Sequence, residues 1–248
     1  MVVPLYDDNP FTQPVKPLVT WCLIAANLGV FFYEAGASQA GLDRMIDTFG
    51  LTPAALAGDV GMRGWVAAVA TLVSYQFFHA DIGHLVGNMI FLWVFGDDIE
   101  RALGRRRFLA FYLLSGAAGG LVFVAYDPHS NVELIGASGA IAGVVIAYVM
   151  LRPCAKITVL VGIIPLRISA YWVIGLFVIL QLWNLRAASK SEVAYWCHFG
   201  GMLAGAVLFP LMKPSTVKLF ECMRPIPDTV VQIGPKPAGR VSRPDGLR

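Results

Sequence analysis

Charge is what this sequence has least of. Only 14% of its 248 residues are Asp, Glu, Lys or Arg, against about 25% in a soluble domain, and the mean hydropathy is +0.65. That shortage excludes a soluble globular chain. Histidine is scarce too, with four in all, and no convergent cluster of Asp, Glu or Cys joins His79 and His84, which argues against a closed metal site. Four cysteines are too few and too scattered for a disulfide framework. Cys22 and Cys197 fall in helix candidates, and Cys154 and Cys222 fall in segments read as cytoplasmic, where thiols stay reduced. The net charge of +3 comes without a basic face interleaved with aromatics, so no nucleic-acid partner is indicated. No repeat of fixed period occurs. Residues 1–16 lack a charged n-region, an apolar h-region and a small-residue cleavage site, so the first apolar run reads as a retained helix.

What the chain does have is apolar runs approaching the ~20 residues that span hydrocarbon as a helix. Six are expected, at about 18–34, 83–99, 107–126, 134–151, 168–185 and 193–212. The fold class is therefore an all-α membrane protein, a six-helix bundle with a long interfacial first loop. Residues 1–17 form a cytoplasmic N-terminal segment, 18–212 the membrane domain, and 213–248 a basic, proline-rich cytoplasmic tail expected to be disordered. In the first loop, 65–78 is apolar but short; it is expected to lie in the interface or against the bundle, with a seventh crossing as the alternative. Gly162, Pro165 and Arg167 interrupt the apolar segment 157–164, which is expected to be a buried or interfacial connection. Basic residues set the orientation. With the N-terminus inside, the inner side collects Lys16, Arg101, Arg105, Arg106, Arg107, Arg152, Lys156, Arg167 and the basic residues of the tail. The outer side keeps only Arg44, Arg63, Arg186 and Lys190.

This N-in, C-in topology sends spans two, four and six inward from the outer face. His84 and Asn88, then Ser138, then His198 fall within about 10 Å of that boundary at ~1.5 Å per residue. Four polar side chains on three helices share one layer, and such groups are costly there unless they meet one another or a water-filled cavity. Each has a plain structural reading. A helical serine is usually packing, Asn88 can be interhelical glue, and Gly139-x-x-x-Gly143 and Gly201-x-x-x-Gly205 are close-approach motifs whatever the function. Their chemistry is nonetheless complementary. Serine becomes a nucleophile when a neutral histidine takes its proton, and an oxyanion then needs donors. His84 and Asn88, four apart on one helical face, can donate, and so can the Ser138 amide at a helix start. Glu133 and Glu192 are expected outside the layer, and Glu100 with Arg105-Arg106-Arg107 at a solvated inner boundary. The pattern predicts a Ser138–His198 dyad without a triad acid.

On these residues the chain resembles the rhomboid family of intramembrane serine proteases, over about residues 70 to 210. The motifs are His79-x4-His84-x3-Asn88, Gly96-x3-Glu100-x3-Gly104, Gly136-Ala137-Ser138-Gly139 and His198-x2-Gly201-x3-Gly205, in this order. The N-terminal Pro4 to Pro10 also looks like the start of many bacterial members. The resemblance implies a six-helix core in a bacterial plasma membrane that cleaves transmembrane protein substrates near the outer boundary, without metal or cofactor. It assigns Ser138 as nucleophile, His198 as general base and acid, and His84, Asn88 and the Ser138 amide to the oxyanion site. It also suggests that span five admits substrate laterally. Three positions depart from the family pattern. The Trp-Arg pair common in the family's first long loop is absent, only Arg63-Gly64-Trp65 coming near it; Ala142 stands where some members have a tyrosine stacked on the base, and Cys197 replaces the usual alanine. The alternative function is a catalytically silent membrane chaperone or assembly subunit; oligomeric state and substrate identity are open.

Overall fold

Backbone buried in hydrocarbon has to satisfy its own hydrogen bonds, and the apolar runs of this chain do so as helices. The structure, a computed structural model, describes residues 2–8, 16–58, 65–187 and 195–222. Its elements run β1 (Val2–Asp7), α1 (Leu18–Ala35), α2 (Gln39–Phe49), α3 (Pro53–Ala57), α4 (Trp65–Ser74), a 3-10 turn (Tyr75–Phe77), α5 (Ile82–Leu103), α6 (Arg105–Tyr126) and α7 (Ser138–Leu151). They continue with β2 (Lys156–Val161), β3 (Ile164–Ser169), α8 (Ala170–Ala187) and α9 (Tyr195–Met212). Among the described residues, α1, α6 and α9 are long and apolar enough to cross a membrane. Residues 67–77 and 82–103 add a bent pair, turned by 84°, as a possible fourth; α7 and α8 are shorter apolar helices. Large apolar side chains cover the outside: Phe32, Trp93, Trp172, Trp183 and Leu211 are all exposed. A helix apolar on its outer face as well as its inner one belongs in lipid.

The centre of the bundle is α6, α7 and α9, and glycine lets them touch. A Cβ placed on Gly201 would come within 1.9 Å of the Gly139 carbonyl oxygen, and one on Gly205 within 2.4 Å of the Gly143 carbonyl oxygen. The two close-approach motifs therefore face each other, bringing the backbones of α7 and α9 into contact as such motifs do in membranes.

Three features differ from the sequence expectations. The chain is not all helix: β1, β2 and β3 form an antiparallel sheet in that order, with β2 and β3 joined through the two-residue loop Gly162-Ile163. The segment 157–164, expected as a buried or interfacial connection, does bury Ile157 and Val159 in the core, but its β-branched residues form strand. The Tyr148 hydroxyl of α7 donates to Asp7 (2.6 Å) and fastens β1 to the bundle, while Arg167 of β3 donates to Asp8 just beyond β1. Second, Glu100 is not at a solvated boundary but buried. Pro17 gives α1 no side-chain cap, and Glu100 reaches across from α5 to do that work. It accepts hydrogen bonds from the amides of Val19 (3.0 Å) and Thr20 (2.8 Å) and from the Thr20 hydroxyl (2.8 Å). A carboxylate at a helix N-terminus meets unsatisfied N–H groups and the positive end of the dipole. Glu100→Ala is therefore expected to destabilise the fold by about 1.5–3 kcal/mol, the range for hydrogen bonds to a charged group. The measure is a lowered unfolding midpoint in mixed micelles titrated with SDS, with Glu100→Gln losing less.

Third, Cys154 and Cys222 are paired, with Cα atoms 5.1 Å apart, a contact the sequence reading did not foresee. The chain beyond α9 folds back to make this contact. Phe220 donates its amide to the Met150 carbonyl (2.7 Å), and Val217 and Leu219 pack on the core. The tail is thus held over its first ten residues, and the disorder expected from 223 onward lies outside the described residues.

The long first connection builds a platform. Ten residues of helix, α4, reach only about 15 Å, too short for the alternative seventh crossing, and they pack instead against α6 and α2. Leu51 and Leu134 exchange two backbone hydrogen bonds (3.0 and 2.9 Å), and the Gly136 amide donates to the Tyr75 carbonyl (2.9 Å). Tyr75, fully buried, sends its hydroxyl to the Gly116 carbonyl at 2.8 Å. The strand-like segment that leads into α7 is fixed from below by this loop.

Candidate active site

Helices α5, α7 and α9 all start at one end of the bundle, and their first two turns carry the polar layer. The α5 start is capped by Asp81, whose carboxylate accepts from the His84 amide (2.9 Å). That bond is the main reason its carboxyl titrates below the usual range. Ser138 is the first residue of α7, not one turn inside it as the sequence suggested. The N–H groups of this opening turn have no partner within the helix. Gly136, at φ +123°, turns the chain immediately before, in a region that favours glycine. A Cβ there would also lie 2.6 Å from the His84 ring, so the imidazole rests directly on the backbone beside the serine.

The structure brings Ser138 and His198 into contact: Nε2 of His198 lies 2.7 Å from Ser138 Oγ, sixty residues away in sequence. The other ring nitrogen, Nδ1, lies 2.8 Å from Oε1 of Gln181 on α8. His84 and Asn88 line the same cavity as Ser138 and His198, a space of about 550 Å³ closed on one side by Phe91 and Phe177. Those two rings meet at 6.2 Å across α5 and α8. Asn88 is held by His79, Nδ2 to Nε2 at 3.0 Å, and the His79 and His84 rings pack edge to face at 5.1 Å. Since a carboxamide has two N–H donors, this contact leaves Asn88 one to spend in the cavity.

Several details were not foreseen. Gln181 is one. Tyr195 is another: one turn before His198 on α9, it meets the imidazole edge to face at 6.1 Å. An aromatic ring thus touches the base although Ala142, also lining the cavity, offers none. Glu133, placed outside the layer by the sequence reading, lines the cavity as an exposed side chain, while Glu192 and Arg63 lie outside the described residues. Cys197 is buried, its sulfur 3.3 Å from the Tyr75 hydroxyl, and serves the platform beneath the site.

Comparison with known proteins adds four findings. A family model described as Rhomboid domain matches residues 66–215. The chain is 29% identical over 151 residues to Rhomboid protein 1, mitochondrial, of Saccharomyces cerevisiae, covering 58% of this chain and 42% of that protein. It is 27% identical over 234 residues to Rhomboid protease AarA of Providencia stuartii, covering 81% and 77%. It is also 30% identical over 145 residues to Inactive rhomboid protein 1 of Drosophila melanogaster, covering 56% and 9%. The chain therefore spans less than half the length of the yeast and fly relatives.

Proposed function

Given that the chain belongs to the rhomboid family, we propose that it is an intramembrane serine endopeptidase that cleaves transmembrane protein substrates within the bilayer. The observation that carries this reading is the 2.7 Å approach of His198 Nε2 to Ser138 Oγ beside a cavity. In the proposed reaction His198 takes the Ser138 proton as Oγ attacks a peptide carbonyl carbon. The resulting oxyanion is met by His84, Asn88 and the Ser138 amide. His198 then gives its proton to the departing amine, and a water molecule, deprotonated by the same base, releases the acyl group.

The finer placement follows the same reading. The six helices α1, α5, α6, α7, α8 and α9 act as spans, with N-terminus and sheet on the cytoplasmic side, as the distribution of Lys and Arg favours. The site then opens near the outer boundary of a bacterial plasma membrane. The protease AarA, matched over most of both chains, supports the proteolytic reading. The relative named inactive supports a second one, a silent scaffold that holds membrane partners. Labelling separates them. A serine-directed fluorophosphonate applied to membranes containing the protein is expected to form an adduct on Ser138, located by mass spectrometry. An unlabelled Ser138, with a partner co-purifying intact, would establish the scaffold.

A further inference from the structure

A base is useful only in one tautomer. Neutral imidazole carries one N–H and one lone pair, and it can accept the serine proton only if the lone pair is on the nitrogen that faces the serine. Here that nitrogen is Nε2, so the proton belongs on Nδ1 and needs an acceptor. Serine hydrolases commonly supply a buried carboxylate at this place. In this chain the described hydrogen-bond partners of the ring are Ser138 and Gln181, and the atom 2.8 Å from Nδ1 is a carboxamide oxygen.

We propose that Gln181 is the positioning residue of His198, its Oε1 accepting the Nδ1–H and keeping the imidazole in the tautomer whose Nε2 faces Ser138. The catalytic consequence rests on the proteolytic reading above; the tautomer does not. An amide suits the location. Burying a carboxylate away from water costs far more than burying a hydrogen-bonded carboxamide. Its carbonyl fixes ring orientation as a carboxylate would, without the charge that steadies an imidazolium. Placement adds a second consequence. Phe177 and Gln181 stand four apart and so share one face of α8; the first closes the cavity against Phe91, and the second holds the base. His84 from α5, Ser138 from α7 and Tyr195 from α9 occupy the remaining sides of the site. Cavity closure and base orientation thus depend on the position of a single helix.

The test reads the imidazole directly. With four histidines in the chain, 15N spectra of histidine-labelled protein in micelles can be assigned with one His198→Gln control. Wild type is expected to show His198 protonated at Nδ1 and bare at Nε2. In Gln181→Met, which keeps the length and removes the acceptor, the two tautomers should mix. On a single-span reporter, kcat should fall about 10²-fold at nearly unchanged KM, less than the ~10⁴-fold that a wrong tautomer costs where a buried carboxylate holds the base. Gln181→Glu, which restores an acceptor, should return kcat to within about tenfold of wild type. A wild-type spectrum with the proton on Nε2 overturns the proposal, whether or not the protein cleaves anything and whether or not Gln181→Met folds. So does a Gln181→Met enzyme with wild-type tautomer and kcat. A wild-type protein that shows the expected tautomer and no proteolysis would instead count against the protease reading alone.

Discussion

Ser138→Ala is expected to abolish cleavage of a single-span reporter reconstituted with the protein, a loss of at least about 10⁴-fold in kcat. Removing Oγ removes the atom that lies 2.7 Å from Nε2 of His198 and that the proposed reaction uses for attack. His198→Ala should cost nearly as much, because a bare serine hydroxyl is a poor nucleophile without a base. The two losses should not add. Groups that act as one unit fail together, so Ser138→Ala/His198→Ala is expected to be no slower than either single variant. Both residues sit in first turns and are only partly buried, so neither exchange should disturb the contacts between α7 and α9 that hold the bundle. Unfolding midpoints close to wild type in all three variants would therefore accompany the lost activity. Full cleavage by Ser138→Ala would remove the proposed nucleophile, and a double variant much slower than both singles would show that the pair does not act as a unit.

The readable part of this site was the part written as spacing along parallel helices. His84, Asn88, Ser138 and His198 lie near the starts of α5, α7 and α9, so counting residues from each apolar boundary put them at one depth. Gln181 defeated that count because α8 runs the other way. Its contribution to the layer comes at residue 12 of 18, deep in the apolar run Tyr171 to Leu185. The signal was present: a glutamine inside a hydrophobic helix is costly and wants a partner. Counting from the far end of span five would have found it. Tyr195 was hidden because it stands at the very start of α9, where an aromatic side chain is read as an interfacial anchor.

Other features were illegible for physical reasons. No local pattern says that Val2–Asp7 will pair with Lys156–Val161, because the partners are about 150 residues apart and the pairing depends on where α7 ends. Glu100 is four residues from Gly104 and close to Arg101, Arg105, Arg106 and Arg107, which reads as a charged boundary. Its burial follows only once α1 presents the uncapped amides of Val19 and Thr20. The cysteines were judged by compartment, and the contact of Cys154 with Cys222 depends on a tail that folds back.

Loss of the oxyanion donors is the second large effect expected. His84→Ala and Asn88→Ala should each lower kcat about 10²-fold, at the lower end of the ~10²–10³ typical for one donor, because the Ser138 amide and the other side chain remain. KM should change little, since the charge these groups meet exists only in the transition state. The structure distinguishes the two positions. The His84 ring lies on the Gly136 backbone, so its removal also opens space beside the serine; Asn88 is oriented by His79 and leaves one N–H for the cavity. His79→Phe keeps a ring in the buried site and frees Asn88 to turn. It should therefore give part of the Asn88→Ala defect, and combining it with Asn88→Ala should add almost nothing. Phosphonate capture of Ser138 should survive in His84→Ala and Asn88→Ala at reduced rate, because nucleophile and base are intact. If instead both variants kept wild-type kcat, the donors would have to be sought elsewhere, first among the backbone amides at the start of α7.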